Sequence, residues 1–259
     1  MSNKISLKNK IVLITGASSG IGYACAERFA QAGAKLLLCA RRIERLEKLA
    51  EELINKYKVA IHYFQLDVTK EAEITTQINA LPAEWRVIDI LVNNAGLARG
   101  LNNFQEGSTQ DWNEMIDTNL KGLLFVTRQV LPGMVARNAG HIINIGSVAG
   151  HEIYPKGNVY CATKHAVKAL TQGLRMDLLG TNLRVTSIDP GMVHTEFSLV
   201  RFKGDQTLAE NPYKGLKPLT AEDIADAIIY SASCPPHVNI SEMLIMPTAQ
   251  AAATLVHRE

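Results

Sequence analysis

The stretch IVLITGASSGIG, residues 11–22, decides the fold of this chain of 259 residues. Its first residues form a run without polar alternation, which is typical of a strand buried on both faces. Gly16, Gly20 and Gly22 follow in the spacing G-x-x-x-G-x-G. Glycine lets the backbone turn tightly, and the first N–H groups of a following helix are free to bind a pyrophosphate. The stretch therefore predicts the strand, loop and helix that open a dinucleotide-binding unit.

Short apolar runs alternate with longer amphipathic segments along the rest of the chain. Strands are predicted at residues 11–15, 35–40, 60–68, 89–94, 141–146, 184–189 and 243–247. Helices are predicted at residues 20–32, 42–57, 70–81, 109–137, 158–180 and 220–233. Such alternation implies crossover connections and a parallel sheet covered on both faces. The expected fold class is α/β, a single doubly wound parallel sheet (Rossmann-type) of about seven strands in one domain, residues 1–259.

Residues 192–219, MVHTEFSLVRFKGDQTLAENPYKGLKPL, interrupt this alternation. The segment is longer than an ordinary connection, and connections of that length in compact domains are usually either disordered or functional lids. It directly follows the sixth strand, at the carboxyl edge of the sheet where open α/β folds bind ligands. We expect it to form a lid over the substrate.

Composition excludes several classes of protein. Hydrophobic residues make up 47% of the chain and charged residues 20%, so a packed core is expected and not disorder. A net charge of +2 gives no reason to expect nucleic acid or a membrane surface as a partner. Cysteines and histidines are scattered without disulfide or metal-ligand spacing, so no metal site is predicted. Cys25 and Cys39 lie within apolar runs and are expected in the core, which fits a reducing, cytoplasmic setting.

The end of the second strand indicates which dinucleotide binds. NAD-binding sheets commonly carry an acidic residue there, which accepts hydrogen bonds from the ribose. Here the place is taken by Ala40, Arg41 and Arg42. A guanidinium binds a 2′-phosphate in a fork, whereas a carboxylate would repel it. NADP is therefore the predicted cofactor, although both arginines, and Arg42 above all, could simply begin the solvated helix that follows.

Further positions at the carboxyl edge are predicted to complete the cofactor site. They are Ser18, Ser19 and Ile21 in the glycine loop, Asp67 and Val68 after the third strand, and Asn94 and Gly96 after the fourth. The neighbouring Asn93 could instead tie adjacent strands together as a turn residue.

A tyrosine and a lysine lie one helical turn apart in the stretch NVYCATKHA, as Tyr160 and Lys164. Residues four apart on a helix share a face, so the phenol and the ammonium are expected to be neighbours. A free tyrosine loses its proton near pH ~10, and a fixed positive charge nearby lowers that pKa. Many helices carry such a pair by chance, so the pair gains meaning only from the residues around it.

With these residues assembled, the chain resembles the short-chain dehydrogenase/reductase family over nearly its whole length. The motifs that carry the resemblance are TGxxxGxG at 15–22, NNAG at 93–96, Asn119, Ser147, Tyr160-x-x-x-Lys164 and Pro190–Gly191. Each motif alone is permissive, whereas the ordered set is specific. The resemblance implies that Tyr160 is the general acid/base of a hydride transfer. It also implies that Lys164 lowers the pKa of Tyr160 and holds the nicotinamide ribose.

The same resemblance assigns roles to other residues. Ser147 would hydrogen-bond the reacting oxygen, and Asn119 would hold a water that links Lys164 to solvent. Ser147 could also cap a turn, and Asn119 could satisfy buried backbone. Pro190 and Gly191 would face the nicotinamide, while Val193 and Thr195 would contact its carboxamide and the phosphates.

Within that family the chain is most similar to the NADP-dependent 3-hydroxy acid dehydrogenases. The similarity rests on the stretches IDILVNNAGLARG, MIDTNLKGLLFVTRQVLPGMV, PGMVHTEFSLVRFKGD and MPTAQ. It implies a substrate such as L-serine, L-allo-threonine or 3-hydroxypropionate, or semialdehyde reduction in the reverse direction. Cys161, next to the predicted catalytic tyrosine, departs from the small residues that are common there.

A 3-hydroxy acid brings a carboxylate next to the reacting carbon, and an apolar pocket cannot bury that charge unpaired. The cationic candidates near the carboxyl edge are Arg99, Arg201 and Lys203. Arg201 and Lys203 belong to the expected lid, where each could instead be a solvated loop charge. A guanidinium suits a carboxylate because it offers a planar fork.

The helix predicted at 158–180 also bears on assembly. Ala162, Ala166, Ala169 and Gly173 form a stripe of small residues on the face opposite Tyr160. Such a stripe permits close approach of another helix, or is merely an alanine-rich surface. Because the family pairs subunits through this helix and the one before it, the resemblance implies a homo-oligomer, a tetramer in the family's manner.

Three alternatives remain at this point. A sugar-nucleotide epimerase or dehydratase also uses Tyr-x-x-x-Lys, but commonly carries TGxxGxxG and a larger C-terminal substrate region. A reductase of another small carbonyl compound would need the same catalytic residues. A non-catalytic NADP-binding module would not need Ser147, Tyr160 and Lys164 together.

Overall fold

The structure is a computed structural model that describes residues 4–259. Seven parallel strands form one sheet in the order β3-β2-β1-β4-β5-β6-β7. They are Ile11–Thr15 (β1), Lys35–Ala40 (β2), Ile61–Gln65 (β3), Ile90–Asn93 (β4), Gly140–Ile145 (β5), Leu183–Pro190 (β6) and Glu242–Ile245 (β7). The order reverses between β1 and β4, which is where doubly wound sheets open a ligand crevice at the carboxyl edge. The predicted fold class is confirmed.

Helices cover both faces of the sheet. They are Gly20–Gln31 (α1), Ile43–Tyr57 (α2), Glu71–Asn79 (α3), Thr109–Ile116 (α4), Leu123–Arg137 (α5), Asn158–Asp177 (α6), Glu196–Arg201 (α7), Gln206–Glu210 (α8) and Ala221–Ala232 (α9). One buried cluster joins the sheet to α1, α2 and α9 and includes Phe29, Leu46 and Ile228. A second cluster joins the other face to α3 and α5 and includes Ile74 and Met134. The two clusters explain why the central strands lack polar alternation.

The helix predicted at 109–137 differs from expectation in its middle. A π-helical turn, Asp117–Gly122, separates α4 from α5 and contains the buried Asn119. π-turns inside helices occur frequently at functional sites, because the extra residue redirects a side chain.

The predicted lid segment, residues 192–219, contains two short helices that the sequence did not predict. The side chain of Thr195 accepts a hydrogen bond from the N–H of Phe197 at the start of α7, at 3.2 Å. Asp205 does the same for the N–H of Leu208 at the start of α8, at 3.0 Å. These caps satisfy backbone donors that short helices otherwise leave free. The closing function of the segment stays a prediction.

Cys25 and Cys39 are fully buried in the core, as predicted. Among residues 4–259, no helix is long and apolar enough to cross a lipid bilayer.

Candidate active site

A cleft of about 560 Å³ opens at the carboxyl ends of the central strands. Most residues predicted to bind the cofactor line it. They are Gly16, Ser18, Ser19, Gly20, Ile21, Arg41, Arg42, Asp67, Val68, Asn94, Gly96, Tyr160, Lys164, Pro190, Gly191, Val193 and Thr195. Ser147 and Arg201 line the same cleft, which therefore joins the cofactor-type residues to the catalytic-type residues. Gly22 and Asn119 do not line it, but they lie against the lining residues Asn94 and Gly96.

The glycine loop takes its shape from two positions. Gly16 adopts a φ of +65°, a left-handed conformation that favours glycine. A Cβ at Gly22 would lie 2.5 Å from Nδ2 of Asn94. That amide donates to the carbonyl oxygen of Thr15 at 2.9 Å and to that of Gly16 at 3.2 Å. Asn94 therefore fixes the loop from the neighbouring strand, as well as lining the cleft.

The two arginines after β2 have different surroundings. Arg41 is exposed, and its guanidinium makes no hydrogen bond to another described residue. Arg42 donates to Oγ of Ser18 at 3.2 Å and to Oγ of Ser19 at 2.8 Å. It also pairs with the carboxylate of Glu196 at 3.1 Å. Arg41 is thus the guanidinium of the pair that remains available for a phosphate.

Asp67 and Val68, which follow β3, line one end of the cleft. The carboxylate of Asp67 accepts hydrogen bonds from the N–H and the hydroxyl of Thr69, at 3.0 and 2.8 Å. Val68 is buried, and a Cβ at Gly122 would lie 2.7 Å from its Cγ2. These contacts fix Asp67 and Val68 at this end of the cleft.

Tyr160, Lys164 and Ser147 come together at the other end of the cleft. Tyr160 and Lys164 lie on α6, and Nζ of Lys164 is 5.9 Å from the centroid of the Tyr160 ring. Nζ donates to the carbonyl oxygen of Ile145 at 2.8 Å. Oγ of Ser147 accepts from the N–H of Ala149 at 3.1 Å, so Ser147 caps a turn while lining the cleft.

Burial is the main influence on the pKa values of Tyr160 and Lys164. Burial raises the pKa of Tyr160 above its ordinary value. The charge of Arg201 and a hydrogen bond with Ser147 each lower this pKa, but by less. The expected lowering of the Tyr160 pKa is therefore outweighed, because desolvation disfavours the phenolate more than the nearby cation favours it. Burial also lowers the pKa of Lys164 to about 8, with the charge of Asp189 acting in the opposite direction.

Asn119 occupies the π-turn and is 2% exposed, so its polar atoms need protein partners. Oδ1 accepts from the N–H of Leu97 at 2.8 Å, and Nδ2 donates to the carbonyl oxygen of Leu97 at 2.8 Å. Nδ2 also donates to Oγ1 of Thr163 at 3.1 Å. The side chain thus satisfies buried backbone, and the predicted water relay to Lys164 stays a prediction.

Arg201 lies over the ring of Tyr160. Its guanidinium carbon is 5.0 Å from the ring centroid of Tyr160 and 5.5 Å from that of Phe197. Nη2 donates to the hydroxyl of Tyr154 at 2.6 Å. Nε is buried and has no hydrogen-bond partner among residues 4–259. A buried donor without a partner is unusual in a folded protein, and here it lies beside the cleft.

The other two predicted cations are directed elsewhere. Arg99 pairs with Glu114 at 2.7 Å and donates to the carbonyl oxygen of Val200 at 2.5 Å. Lys203 pairs with Asp111 at 2.8 Å. Neither lines the cleft, so both hold the 192–219 segment against α4 in place of facing a substrate.

Several residues that line the cleft were not predicted from the sequence. They are Tyr154, Glu196, Phe197, Tyr213 and Gln250. Oε1 of Gln250 accepts from the N–H of Met192 at 2.9 Å and so supports the turn after Pro190. Gln250 ends the MPTAQ stretch on which the resemblance partly rested, so that stretch was the available signal. The three aromatic residues carry no spacing signal that distinguishes them from core residues.

Comparison with known proteins agrees with this geometry. The family model described as short chain dehydrogenase matches residues 10–205. The NADP-dependent 3-hydroxy acid dehydrogenase YdfG of Escherichia coli K12 is 51% identical over 251 residues, which are 96% of this chain and 100% of the relative. Sulfoacetaldehyde reductase 2 of Chromohalobacter salexigens is 50% identical over 242 residues, 93% of this chain and 95% of the relative.

A solved structure is similar over the same extent. The closed form of serine dehydrogenase complexed with NADP+ superposes with a TM-score of 0.91 at 51% identity. The match covers 96% of this chain and 100% of the other.

Proposed function

Because this chain belongs to the short-chain dehydrogenase family, we propose that it is an NADP-dependent oxidoreductase acting on a small 3-hydroxy acid. L-Serine, L-allo-threonine and 3-hydroxypropionate are the proposed substrates, with semialdehyde reduction as the reverse reaction. The names of two similar proteins, a 3-hydroxy acid dehydrogenase and a serine dehydrogenase with NADP+, support this substrate class and cofactor.

The residues fit an NADP molecule. The left-handed turn at Gly16 and the close packing of Gly22 against Asn94 hold the loop in a tight turn, against which a pyrophosphate would lie at the start of α1. Arg41, with no competing hydrogen bond among the described residues, would bind the 2′-phosphate. Asp67 and Val68 would flank the adenine, and Pro190 and Gly191 would face the nicotinamide.

The bound nicotinamide would supply hydride acceptance and donation at its C4. The chain would supply the accompanying proton movement, for which Tyr160 is the buried acid/base. Ser147 would donate to the same substrate oxygen and fix its position. Lys164 would hold the ribose and place a positive charge beside the phenol.

The observation that carries the substrate class is the placement of Arg201. Its unpartnered Nε and its position 5.0 Å from the Tyr160 ring centroid put a cation beside the reacting centre. An acid group on the carbon next to the reacting one would lie within reach of that guanidinium, and a planar fork suits a carboxylate. Tyr154 would orient the fork through its 2.6 Å hydrogen bond.

We expect purified protein to reduce NADP in the presence of L-serine or L-allo-threonine, and Arg201→Met to raise the KM for these acids by about tenfold or more, the scale of one charge-assisted hydrogen bond. An uncharged alcohol or aldehyde should be affected much less. Steady-state kinetics from NADPH absorbance measures both.

Lys203→Met is the matched control, because it removes a cation from the same segment whose partner, Asp111, lies outside the cleft. Its KM values should stay near those of the unmodified enzyme. Equal losses for charged and uncharged substrates in Arg201→Met would show that Arg201 supports the segment and does not bind the acid. An absence of turnover with all hydroxy acids would overturn the substrate class.

A second candidate is reduction of another small carbonyl compound. The 50% identity to a protein named sulfoacetaldehyde reductase favours it, since a sulfonate would also present a negative charge to Arg201. A panel of semialdehydes and sulfonated aldehydes, compared by kcat/KM, separates the two candidates.

Assembly as a homo-oligomer, a tetramer in particular, is part of the proposal. Ala162 and Ala169 are exposed on α6, and Gly173 would have open space around a Cβ. This face would allow a second copy to approach closely. We expect light scattering to give a mass of about four chains at micromolar concentration, and a monomer would contradict the expectation. The buried free thiols support a reducing, cytoplasmic setting.

A further inference from the structure

A cluster of charged groups lies next to the proposed catalytic residues but does not line the cleft. Its centre is Asp189, near the end of β6, whose side chain is 1% exposed. Oδ1 of Asp189 accepts from Oγ of Ser187 at 2.5 Å, and Oδ2 lies 2.8 Å from Nε2 of His151. Burial of a carboxylate at this depth is costly unless it is paired and hydrogen-bonded. The groups around Asp189 therefore need an explanation.

The hydrogen bonds define which groups donate. Nζ of Lys168 lies 2.8 Å from Nδ1 of His151. An ammonium can only donate, so Nδ1 accepts and Nε2 carries the ring proton. Nε2 then donates to Asp189, which receives two hydrogen bonds as an anion. Lys168 is also paired with Glu242 of β7 at 3.4 Å, which completes the cluster.

Asp189 touches the catalytic turn directly. Gly146 lies between Ile145, whose carbonyl oxygen accepts from Lys164, and Ser147. A Cβ at Gly146 would overlap Oδ1 of Asp189, so only glycine lets the carboxylate approach this turn. The following residue, Pro190, lines the cleft. A buried negative charge thus lies against the segment that holds both Lys164 and Ser147.

We propose that Asp189 is a positioning residue that keeps Lys164 in its ammonium form, and that His151 keeps Asp189 ionised by donating from Nε2. The inference deepens the proposed function, because it assumes that Lys164 acts as a cation beside Tyr160. No hydrogen bond joins the Asp189 and Lys164 side chains among residues 4–259, so the effect acts through space. In a buried site such an interaction is only weakly screened.

The direction of the pH effect follows from the surrounding charges. Ser187 from β6 and His151 from the loop after β5 contact Asp189, and Tyr160 from α6 lies beside Lys164. Glu242 from β7 and Lys168 from α6 contact His151, and the charge of Glu242 also acts on Asp189. Burial lowers the pKa of Lys164 to about 8, and Asp189 opposes that effect. Removing the negative charge should let the Lys164 pKa fall further, into the neutral range.

The test is a pH titration of Lys164 in the cofactor-free protein, monitored through the ¹³C NMR signals of the lysine Cε atoms. The signal of Lys164 is identified by its loss in Lys164→Arg. In Asp189→Asn we expect the midpoint to fall by about one pH unit, the scale of a nearby buried charge. His151→Leu should shift it in the same direction by less, and this variant substitutes if Asp189→Asn fails to fold. Glu242→Gln is the control, because Glu242 contacts Lys168 and His151 but not the Gly146 turn.

An unchanged midpoint in Asp189→Asn or its substitute would overturn the proposal. An equal fall in Glu242→Gln would also overturn it, since the effect would then belong to the whole cluster. The pH profile of kcat/KM gives a second readout, with whichever carbonyl compound the enzyme reduces. Its alkaline limb should move to lower pH in Asp189→Asn, whereas a purely structural role would lower activity equally at all pH values. The NMR titration needs no substrate. Its result therefore tests the role of Asp189 even if the enzyme does not turn over the proposed 3-hydroxy acids.

Discussion

Tyr160→Phe is expected to reduce kcat by ~10²–10⁴-fold, the range typical of losing a general acid/base, while the fold and NADP binding persist. The substitution removes one oxygen from a side chain that is 9% exposed and keeps the ring packed against Phe197. The proton that must move at the substrate oxygen then has no donor or acceptor at that place. Stopped-flow or steady-state measurement of NADPH formation gives kcat, and fluorescence titration gives the cofactor affinity.

Tyr154→Phe provides the matched control, because Tyr154 is a second tyrosine that lines the same cleft. It loses only the hydrogen bond to Arg201, so its kcat should stay within about tenfold of the unmodified enzyme. A Tyr160→Phe enzyme with near-native turnover would contradict the assignment. So would a loss of the same size in both variants.

Arg41→Ala is expected to weaken NADPH binding by about 10–100-fold and to leave NADH binding nearly unchanged. The loss corresponds to roughly 1.5–3 kcal/mol, the contribution of a charge-assisted hydrogen bond. Because the guanidinium of Arg41 makes no hydrogen bond to other described residues, its removal should disturb no protein contact. Dissociation constants of the two cofactors, measured by fluorescence or calorimetry, check the difference.

Arg42→Ala is the informative comparison. Arg42 binds Ser18, Ser19 and Glu196, so its loss should loosen the glycine loop and weaken both cofactors. Equal weakening of NADPH and NADH by Arg41→Ala would instead assign Arg41 a structural role.

Local sequence patterns were sufficient to predict most of the strands and helices of the fold. β1 and β2 begin and end where the apolar runs predicted them, because strands buried on both faces leave an uninterrupted pattern. The π-turn at Asp117–Gly122 was not predicted, since the hydrogen bonds of its Asn119 to Leu97, in another part of the fold, leave no local sequence pattern. The helix predicted at 158–180 ends at Asp177 in the structure.

The sequence predicted the residues of the candidate site that belong to motifs. It did not predict which charged side chains pair with other parts of the protein. Tyr160, Lys164 and Ser147 converge because their places at the strand ends and on α6 follow from the order of elements. In the sequence, Arg99 and Lys203 are candidates for substrate binding on the same grounds as Arg201. Only the folded structure shows that Arg99 pairs with Glu114 and Lys203 with Asp111. The direction of the Tyr160 pKa was also not predictable from a nearby charge, because burial is a property of the folded chain.

The ion pair between Arg42 and Glu196 matters for anyone who wishes to change the coenzyme preference of this enzyme. Glu196 begins α7, and Arg201 ends it. Replacing Arg42 by an acidic residue, as a route to NADH use, would set two carboxylates against each other at one end of α7. The repulsion would act on the same short helix that places Arg201 over Tyr160. Arg45 would still pair with Glu196 at 2.8 Å and would offset part of this repulsion. A change at position 42 is therefore best combined with a change at position 196, so that the end of the cleft that holds Arg201 and Tyr160 stays as it is.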